Sequence, residues 1–225
     1  MMIIYRLCIT LQDPVYFATR ELGRFYATEN YLHNYALTYA LGFAKSDYHD
    51  LKHIPHYEQD LKPLNKLGIY LTPAHPIDFA YVTHTYKWAD LRYQVRMEQS
   101  SINLPTYGRI RELAPESYFE TYLLTRKPVK IPQWIRLGKW MSKAEINIQK
   151  IPAPKIKNGI FTCTYPLNPL DVMFTNELIN YDVINMPPVS LIKNITMRGD
   201  YYQISLDENS KPLINIPVNM SYRFE

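Results

Sequence analysis

Residues 28–43 read TENYLHNYALTYALGF, and this stretch contains the clearest helical pattern in the chain. Apolar and aromatic residues recur in it every three or four positions, which places their side chains on one face of an α-helix. They are Tyr31, Leu32, Tyr35, Ala36, Tyr39, Ala40 and Phe43. Thr28 or Asn30 can cap the start of this helix, and Gly42 marks its end.

The segments on either side of this helix have the patterns of strands. Residues 3–11 are rich in β-branched and aromatic side chains, and residues 85–98 alternate between apolar and polar ones. Residues 44–80 are polar and interrupted by prolines, which predicts loops with short strands. Further strands are predicted at residues 117–125, 144–151, 160–165, 201–206 and 213–218.

Residues 99–116 would join two of these strands as a long protruding hairpin. Its basic tip would contain Tyr107, Gly108, Arg109 and Arg111. The order of elements is compatible with an α+β fold built on a ferredoxin-like β-α-β-β-α-β unit. We therefore predict a ferredoxin-like domain over residues 1–157 that includes this hairpin, and a small β-rich C-terminal extension over residues 158–225 packed on it.

Positive charge is concentrated in one part of the chain. The net charge is +4, but residues 126–157 hold nine basic side chains and one acidic side chain. The segments before and after this block carry net charges of −1 and −3. A localised field of this kind indicates a polyanionic partner. The alternative is a lysine-rich surface that only keeps the protein soluble.

Residues 125–143, TRKPVKIPQWIRLGKWMSK, combine six cations and two tryptophans with no acid. Cationic groups neutralise phosphates and flat rings stack on bases, so this composition favours single-stranded nucleic acid. Gly138 would let the backbone approach a ligand closely. For Trp134 and Trp140, packing in the core is an equally good explanation.

Other kinds of chemistry have weaker support. His49, His53 and His56 stand near several acids, but Pro55 interrupts any helix that would align them, so a metal site is a minor alternative. The chain has no phosphate-binding loop or nucleophile motif, and no cofactor is expected. Cys8 and Cys163 are far apart, which fits a reducing cytoplasm. The apolar start is too short to span a membrane.

Two stretches resemble a known family. DPVYFATRELGRFYATENYLHNYALTYALGF (residues 13–43) and WIRLGKWMSKAEI (residues 134–146) are similar to the small RAMP subunit of type I-D CRISPR Cascade, in the fifth CRISPR-associated protein family. The resemblance is densest over residues 3–43 and 131–151, and the length matches the whole chain. It adds little over residues 158–225.

This resemblance implies a ferredoxin-like RAMP domain with a β-hairpin thumb. It also implies a role as a non-catalytic subunit that caps the 5′ handle of the CRISPR RNA in an antiviral effector. The implied partners are that RNA, the large and backbone subunits of the complex, and the target DNA duplex near the protospacer-adjacent motif. Some relatives in another subtype cleave repeat RNA, so a metal-independent endoribonuclease is the alternative function.

The resemblance also implies which residues bind RNA. The segment near the handle would contribute Arg136, Gly138, Lys139, Trp140 and Lys143, and the approach to the first helix would contribute Arg20 and Arg24. Tyr107, Arg109 and Arg111 would lie on the thumb, a placement that depends on the predicted hairpin. No catalytic or metal-binding residue is assigned. A subunit held by protein contacts alone is the third alternative.

Overall fold

The computed structural model describes residues 2–45, 55–88, 106–152, 154–205 and 213–224, which form a strand-rich α+β fold. The first elements are β1 (Ile3–Leu11), β2 (Arg20–Leu22), β3 (Phe25–Ala27), α1 (Asn34–Ala40), α2 (Tyr57–Leu67), β4 (Ile69–Leu71), β5 (His75–Asp78), β6 (Tyr81–Trp88) and β7 (Thr106–Leu113). The later elements are β8 (Tyr118–Thr125), β9 (Trp134–Leu137), β10 (Ser142–Lys150), β11 (Lys155–Cys163), α3 (Pro169–Val172), β12 (Glu177–Ile184), β13 (Leu191–Ile204) and β14 (Ile214–Pro217). The predicted α+β class is confirmed.

The main sheet has the order β4-β8-β1-β10-β9, and β5 also pairs with β8. Strand β1 lies at its centre and pairs antiparallel with both β8 and β10. Its buried residues Leu7, Ile9 and Leu11 alternate with less buried ones, because successive side chains of a strand point to opposite faces. The strands predicted at 3–11, 117–125 and 144–151 are therefore confirmed.

A second sheet has the order β11-β13-β12, with β14 on β13. Its buried side chains, such as Ile195 and Met197, belong to the same hydrophobic core as Leu7 and Ile9 of the main sheet. Strand β11 runs across residue 157, where the sequence places a boundary between a domain and its extension. That division stays a prediction.

The third sheet, called the ribbon below, has the order β2-β3-β7-β6. Strands β6 and β7 pair antiparallel, and β3 pairs with β7 in parallel. The long hairpin predicted between residues 85–98 and 117–125 is therefore wrong in its pairing. Residues 106–113, predicted as part of its tip, are a strand of the ribbon, whereas β8 belongs to the main sheet. Residues 89–105 lie outside the described ranges.

The helices differ from the sequence prediction in their limits. Helix α1 is confirmed, but it begins at Asn34, and His33 rather than Thr28 or Asn30 caps it by accepting from the backbone N–H of Tyr35. Helix α2 lies where the sequence predicted loops, because Pro55 and Pro63 indicated that a helix would be interrupted there. It buries Leu61 and Leu64 and ends at a left-handed Gly68, as helix C-termini commonly do.

The complete ferredoxin-like topology is not confirmed. The central place of β1 between antiparallel β8 and β10 is compatible with it, but the segment between β8 and β10 contains strand β9 where that topology has its second helix. The two cysteines, Cys8 and Cys163, are both free. Within the described ranges, no helix is both long and apolar enough to cross a membrane.

Candidate nucleic-acid interface

Strands β9 and β10 form a hairpin whose exposed face is cationic. Residues alternate along both strands, so Ile135, Leu137 and Ala144 are buried while Arg136 and Lys143 face outward. The register places Arg136 directly opposite Lys143. Like charges that face each other across two strands destabilise a sheet, so a nearby anion would relieve this repulsion.

Both tryptophans of this segment are about half exposed. Trp134 is 46% exposed and lies below Lys143, whose Nζ is 3.9 Å from the ring centroid. Trp140 is 49% exposed, and its ring packs on Tyr16 with the centroids 4.8 Å apart. Neither ring is a core side chain, so both have surface available for stacking.

The turn between β9 and β10 is held against the segment that follows β1. The backbone N–H of Lys139 donates to the carbonyl of Tyr16 over 2.9 Å, and the Ser142 hydroxyl donates to the carbonyl of Pro14 over 2.5 Å. The backbone N–H of Lys143 donates to the carboxylate of Asp13 over 2.8 Å. These contacts fix the turn without using its basic side chains as partners.

Gly138 makes this attachment possible. Its φ is +73°, and an added Cβ would lie 2.7 Å from the carbonyl oxygen of Tyr16. A left-handed φ and a contact this close both require glycine. The sequence predicts the approach of a ligand at Gly138, and that stays a prediction; the close contact that the structure shows there is with the chain itself.

The five exposed side chains of this hairpin are called the turn surface below. They are Trp134, Arg136, Lys139, Trp140 and Lys143. Within the part of the chain that the structure describes, none of its three cations forms an ion pair. Arg136 donates one N–H to the carbonyl of Met141 over 3.1 Å, and its other donors remain for a ligand.

Three adjoining hollows surround the turn surface. The first has a volume of about 400 Å³ and includes Tyr39 and Lys139 in its wall. The second, of about 370 Å³, shares Tyr39 with the first and adds Trp134 and Lys143. The third, of about 340 Å³, shares Arg136 with the second and extends to the ribbon. Aromatic rings and cations thus line three adjoining hollows, which is the combination that single-stranded nucleic acids bind.

Two of the predicted site residues, Arg20 and Arg111, lie on the ribbon and contact other groups of the same chain. Arg20 lies 3.2 Å and Arg111 lies 3.7 Å from the carboxylate of Glu29. The Arg111 guanidinium is also 4.3 Å from the centroid of Tyr81 and donates to the carbonyl of Thr28 over 3.3 Å. The two arginines share the one negative charge of Glu29, so their charge is partly compensated and their contacts help to hold the ribbon together.

Arg24, Tyr107 and Arg109 are the remaining predicted residues, and all three are exposed. The backbone N–H of Arg109 donates to the carbonyl of Arg24 over 2.8 Å, so the two arginines are neighbours. Tyr107 and Arg109 are two positions apart on β7 and share a face of the ribbon. Four of the ten predicted residues therefore lie on the turn surface, Gly138 lies in the turn itself, and five lie on the ribbon.

The sequence missed the residues of the ribbon that line the third hollow. His84 and Tyr86 lie on β6, and the buried Glu112 lies on β7, with 3.8 Å between His84 Nε2 and Glu112 Oε2. Burial raises the pKa of the Glu112 carboxyl, and the nearby His84 opposes that shift. The pairing of β6 with β7 brings them together, and no motif of the sequence signals that pairing.

The histidines of the proposed metal site are described only in part. His49 and His53 lie outside the described ranges, while His56 precedes α2. No group of three or more potential metal ligands occurs among the residues that are described. His33 is tied to the helix cap and to the carbonyl of Val189, and burial lowers its pKa to about 4.

Comparison with known proteins identifies the family. A scan against protein-family models matches residues 2–225 to the type I-D CRISPR-associated protein Cas5/Csc1 family. The chain belongs to this family. The resemblance seen in residues 13–43 and 134–146 is confirmed by a match that spans nearly the whole Cas5/Csc1 chain.

Two further searches add little to this assignment. A search of curated proteins returns no match. One similar solved structure is described as the cryo-EM structure of the type III-B Cmr-beta bound to cognate target RNA and AMPPnP, state 1. The aligned regions are 10% identical, cover 87% of this chain and 84% of that chain, and superpose with a TM-score of 0.47. That similarity is too low to carry an argument.

Proposed function

We propose that this Cas5/Csc1 chain is a guide-RNA-binding subunit of a type I-D CRISPR effector and caps the 5′ handle of the CRISPR RNA. It works in the cytoplasm and needs no cofactor. In this proposal the ribbon is the thumb of a ferredoxin-like RAMP domain. The turn surface is the principal RNA contact, and Arg24, Tyr107 and Arg109 of the ribbon add a second one.

The pairing of Arg136 with Lys143 across the hairpin is the observation that carries this proposal. Two cations held opposite each other cost stability, and neither of them forms an ion pair among the described residues, although the Asp13 carboxylate accepts from the backbone N–H of Lys143. Phosphates of an RNA backbone would offset it. Half-exposed Trp134 and Trp140 on the same hairpin supply stacking surfaces, worth about 1–3 kcal/mol for each base.

The proposed mechanism is recognition by charge and shape. Lys139, Lys143 and Arg136 hold successive phosphates, and unpaired handle bases enter the hollows beside them. Base pairing by the guide reads the invader sequence, while the protein holds the geometry of the guide.

We propose that the chain is not an enzyme. The rival is a metal-independent endoribonuclease, and one observation favours it: His84 and Glu112 form a pair beside Arg136 in the third hollow. A base, an acid and a cation are what cleavage beside a 2′-hydroxyl requires. RNA integrity is therefore part of the test.

The proposed protein partners are the large and backbone subunits, and the target DNA duplex near the protospacer-adjacent motif would lie beside them. One surface supports a protein partner. Strand β12 exposes Ile179, Tyr181 and Val183 at alternate positions, and an apolar stripe of this kind is typical of interaction sites. Val183→Asp should weaken association with the purified partner subunits and leave RNA affinity unchanged.

The test is binding of a labelled repeat-derived 5′ handle RNA in EDTA across a salt series, with single-stranded DNA as a comparison ligand. The test variant is Arg136→Glu with Lys139→Glu. The matched control is Lys155→Glu with Lys157→Glu, which reverses two exposed charges on β11. We expect intact RNA, an affinity loss of about 100-fold in the test variant, and less than about threefold in the control.

Three other outcomes would contradict parts of this proposal. Equal losses in both variants would show that only the net charge matters. Equal binding by wild type and test variant would make the turn surface an ordinary charged surface. Cleaved RNA would favour the endoribonuclease.

A further inference from the structure

The third hollow contains a buried acid that RNA-backbone binding does not explain. Glu112 is 1% exposed, and its Oε1 has no hydrogen-bond partner in the described structure. Burying a carboxylate oxygen without a donor costs free energy, and that cost is recovered when a ligand supplies the donor. A phosphate cannot do so, because it is itself an anion. The ligand that suits Glu112 carries N–H groups.

His84 stands beside this acid and complements it. Its Nε2 lies 3.8 Å from Glu112 Oε2, so the two side chains can face the same ligand edge. One nitrogen of a neutral imidazole donates, whereas an ionised carboxylate only accepts. The pair therefore presents a donor next to two acceptor oxygens.

That order matches the Watson–Crick edge of guanine. Guanine presents the O6 acceptor, the N1–H donor and the N2 amino donor in sequence. Cytosine and adenine offer one amino group beside a ring acceptor. Uracil places carbonyl oxygens on both sides of its single N–H, and one of these would face the carboxylate. Unpaired bases are commonly recognised along this edge.

The rest of the hollow suits a nucleotide. Trp140 packs on Tyr16 and remains half exposed, and Tyr86 also lines the third hollow. Aromatic rings of this kind stack on bases. Arg136 lies at the boundary with the second hollow, where it can hold a phosphate. The volume of about 340 Å³ lies in the usual range for small-molecule sites.

We propose that the third hollow binds one unpaired guanine of the guide RNA, with Glu112 accepting from its N1–H and N2 amino groups and His84 donating to O6. This inference rests on the proposed function and adds base specificity to it. Asp13 also lines the hollow and disfavours a second phosphate there.

The test uses the full chain and five labelled RNA pentamers, UUXUU with X as guanine, inosine, adenine, cytosine or uracil. Inosine keeps O6 and N1–H but lacks the N2 amino group, so it probes one hydrogen bond without any change to the protein. We expect guanine to bind about tenfold more tightly than uracil, with inosine between them. Glu112→Gln should abolish this preference, because its amide offers only one acceptor oxygen.

The outcomes separate this inference from the proposed function. Salt-sensitive binding of all five pentamers with equal affinity would overturn the guanine site and leave RNA binding intact. Binding of none of them at low salt would overturn both. A preference for guanine that persists in Glu112→Gln, with its fold confirmed by thermal unfolding, would place the recognition elsewhere. Cleavage that is lost in His84→Ala would make His84 and Glu112 an acid–base pair instead.

Discussion

The turn surface and the ribbon both carry arginines that the sequence assigns to RNA, yet the structure gives them opposite surroundings. On the ribbon, Arg111 contacts a carboxylate, an aromatic ring and a carbonyl of its own chain. On the turn surface, Arg136 faces Lys143, and within the described ranges its one acceptor is the carbonyl of Met141. One arginine is compensated within the fold and the other is not.

This difference distinguishes basic side chains that stabilise the fold from basic side chains that are available to bind a ligand. A compensated cation contributes to the free energy of unfolding and has fewer donors left to offer. An uncompensated cation next to another cation costs stability, and function is the reason to keep it. Affinity and stability should therefore respond in opposite ways in the two regions.

The largest effect is expected when the turn surface loses its charge. Replacing Arg136, Lys139 and Lys143 together by Gln should lower RNA affinity about 100-fold at 0.1 M salt. The slope of log affinity against log salt should fall by about two, because each phosphate contact to a single strand contributes about 0.7. The control replaces the exposed Lys150, Lys155 and Lys157 by Gln. An unchanged slope in the first variant would remove the contrast between the regions.

The next effect concerns stability of the ribbon. Arg111→Met should lower the free energy of unfolding by about 2 kcal/mol, because Glu29 loses one partner and Tyr81 its cation. RNA affinity should change less than about threefold. Urea denaturation measures the first quantity, and Arg136→Met serves as the comparison with no expected loss. A stable Arg111→Met protein that no longer binds RNA would reverse the assignment.

A smaller effect is expected from the exposed arginines of the ribbon. Arg24→Gln with Arg109→Gln should weaken RNA binding about fivefold, with a decrease of about 0.7 in the salt slope, which corresponds to one phosphate. Titration of labelled handle RNA at several salt concentrations measures both. A loss as large as that of the turn surface would make the ribbon an equal partner in binding.

The smallest effect tests the cost of the paired cations. Arg136→Glu creates an opposite-charge pair with Lys143 and should raise the free energy of unfolding by about 0.5 kcal/mol while RNA affinity falls. Thermal unfolding of wild type and variant at low salt measures this gain, and high salt should reduce it. A loss of stability would mean that the two cations do not repel each other.

Local patterns predicted much of this structure because their causes are local. The helical spacing of apolar residues from Tyr31 to Phe43 involves only residues three or four positions apart, and it correctly indicated α1. Alternation likewise indicated β1, β8 and β10. The charge of the segment from Arg126 to Lys143 needed no fold to be visible.

Pairing between distant segments could not be predicted in the same way. Residues 106–113 mix apolar and polar side chains on both faces of β7, and Pro105 and Gly108 also made them resemble a loop. This strand pairs with β6, and no pattern in the sequence predicts that pairing. The proximity of Glu112 and His84 depends on that pairing, so the third hollow could not be predicted from the sequence.

The attachment of the turn to residues 13–16 has a consequence for the kinetics and heat of RNA capture. Three hydrogen bonds and a glycine without room for a side chain hold the recognition loop in one shape before any ligand arrives. Almost all the loss of freedom on association then falls on the RNA strand. RNA should therefore bind to a preorganised surface. Amide hydrogen exchange at Lys139 and Lys143 should be slow in the free protein and only slightly slower in the RNA-bound protein.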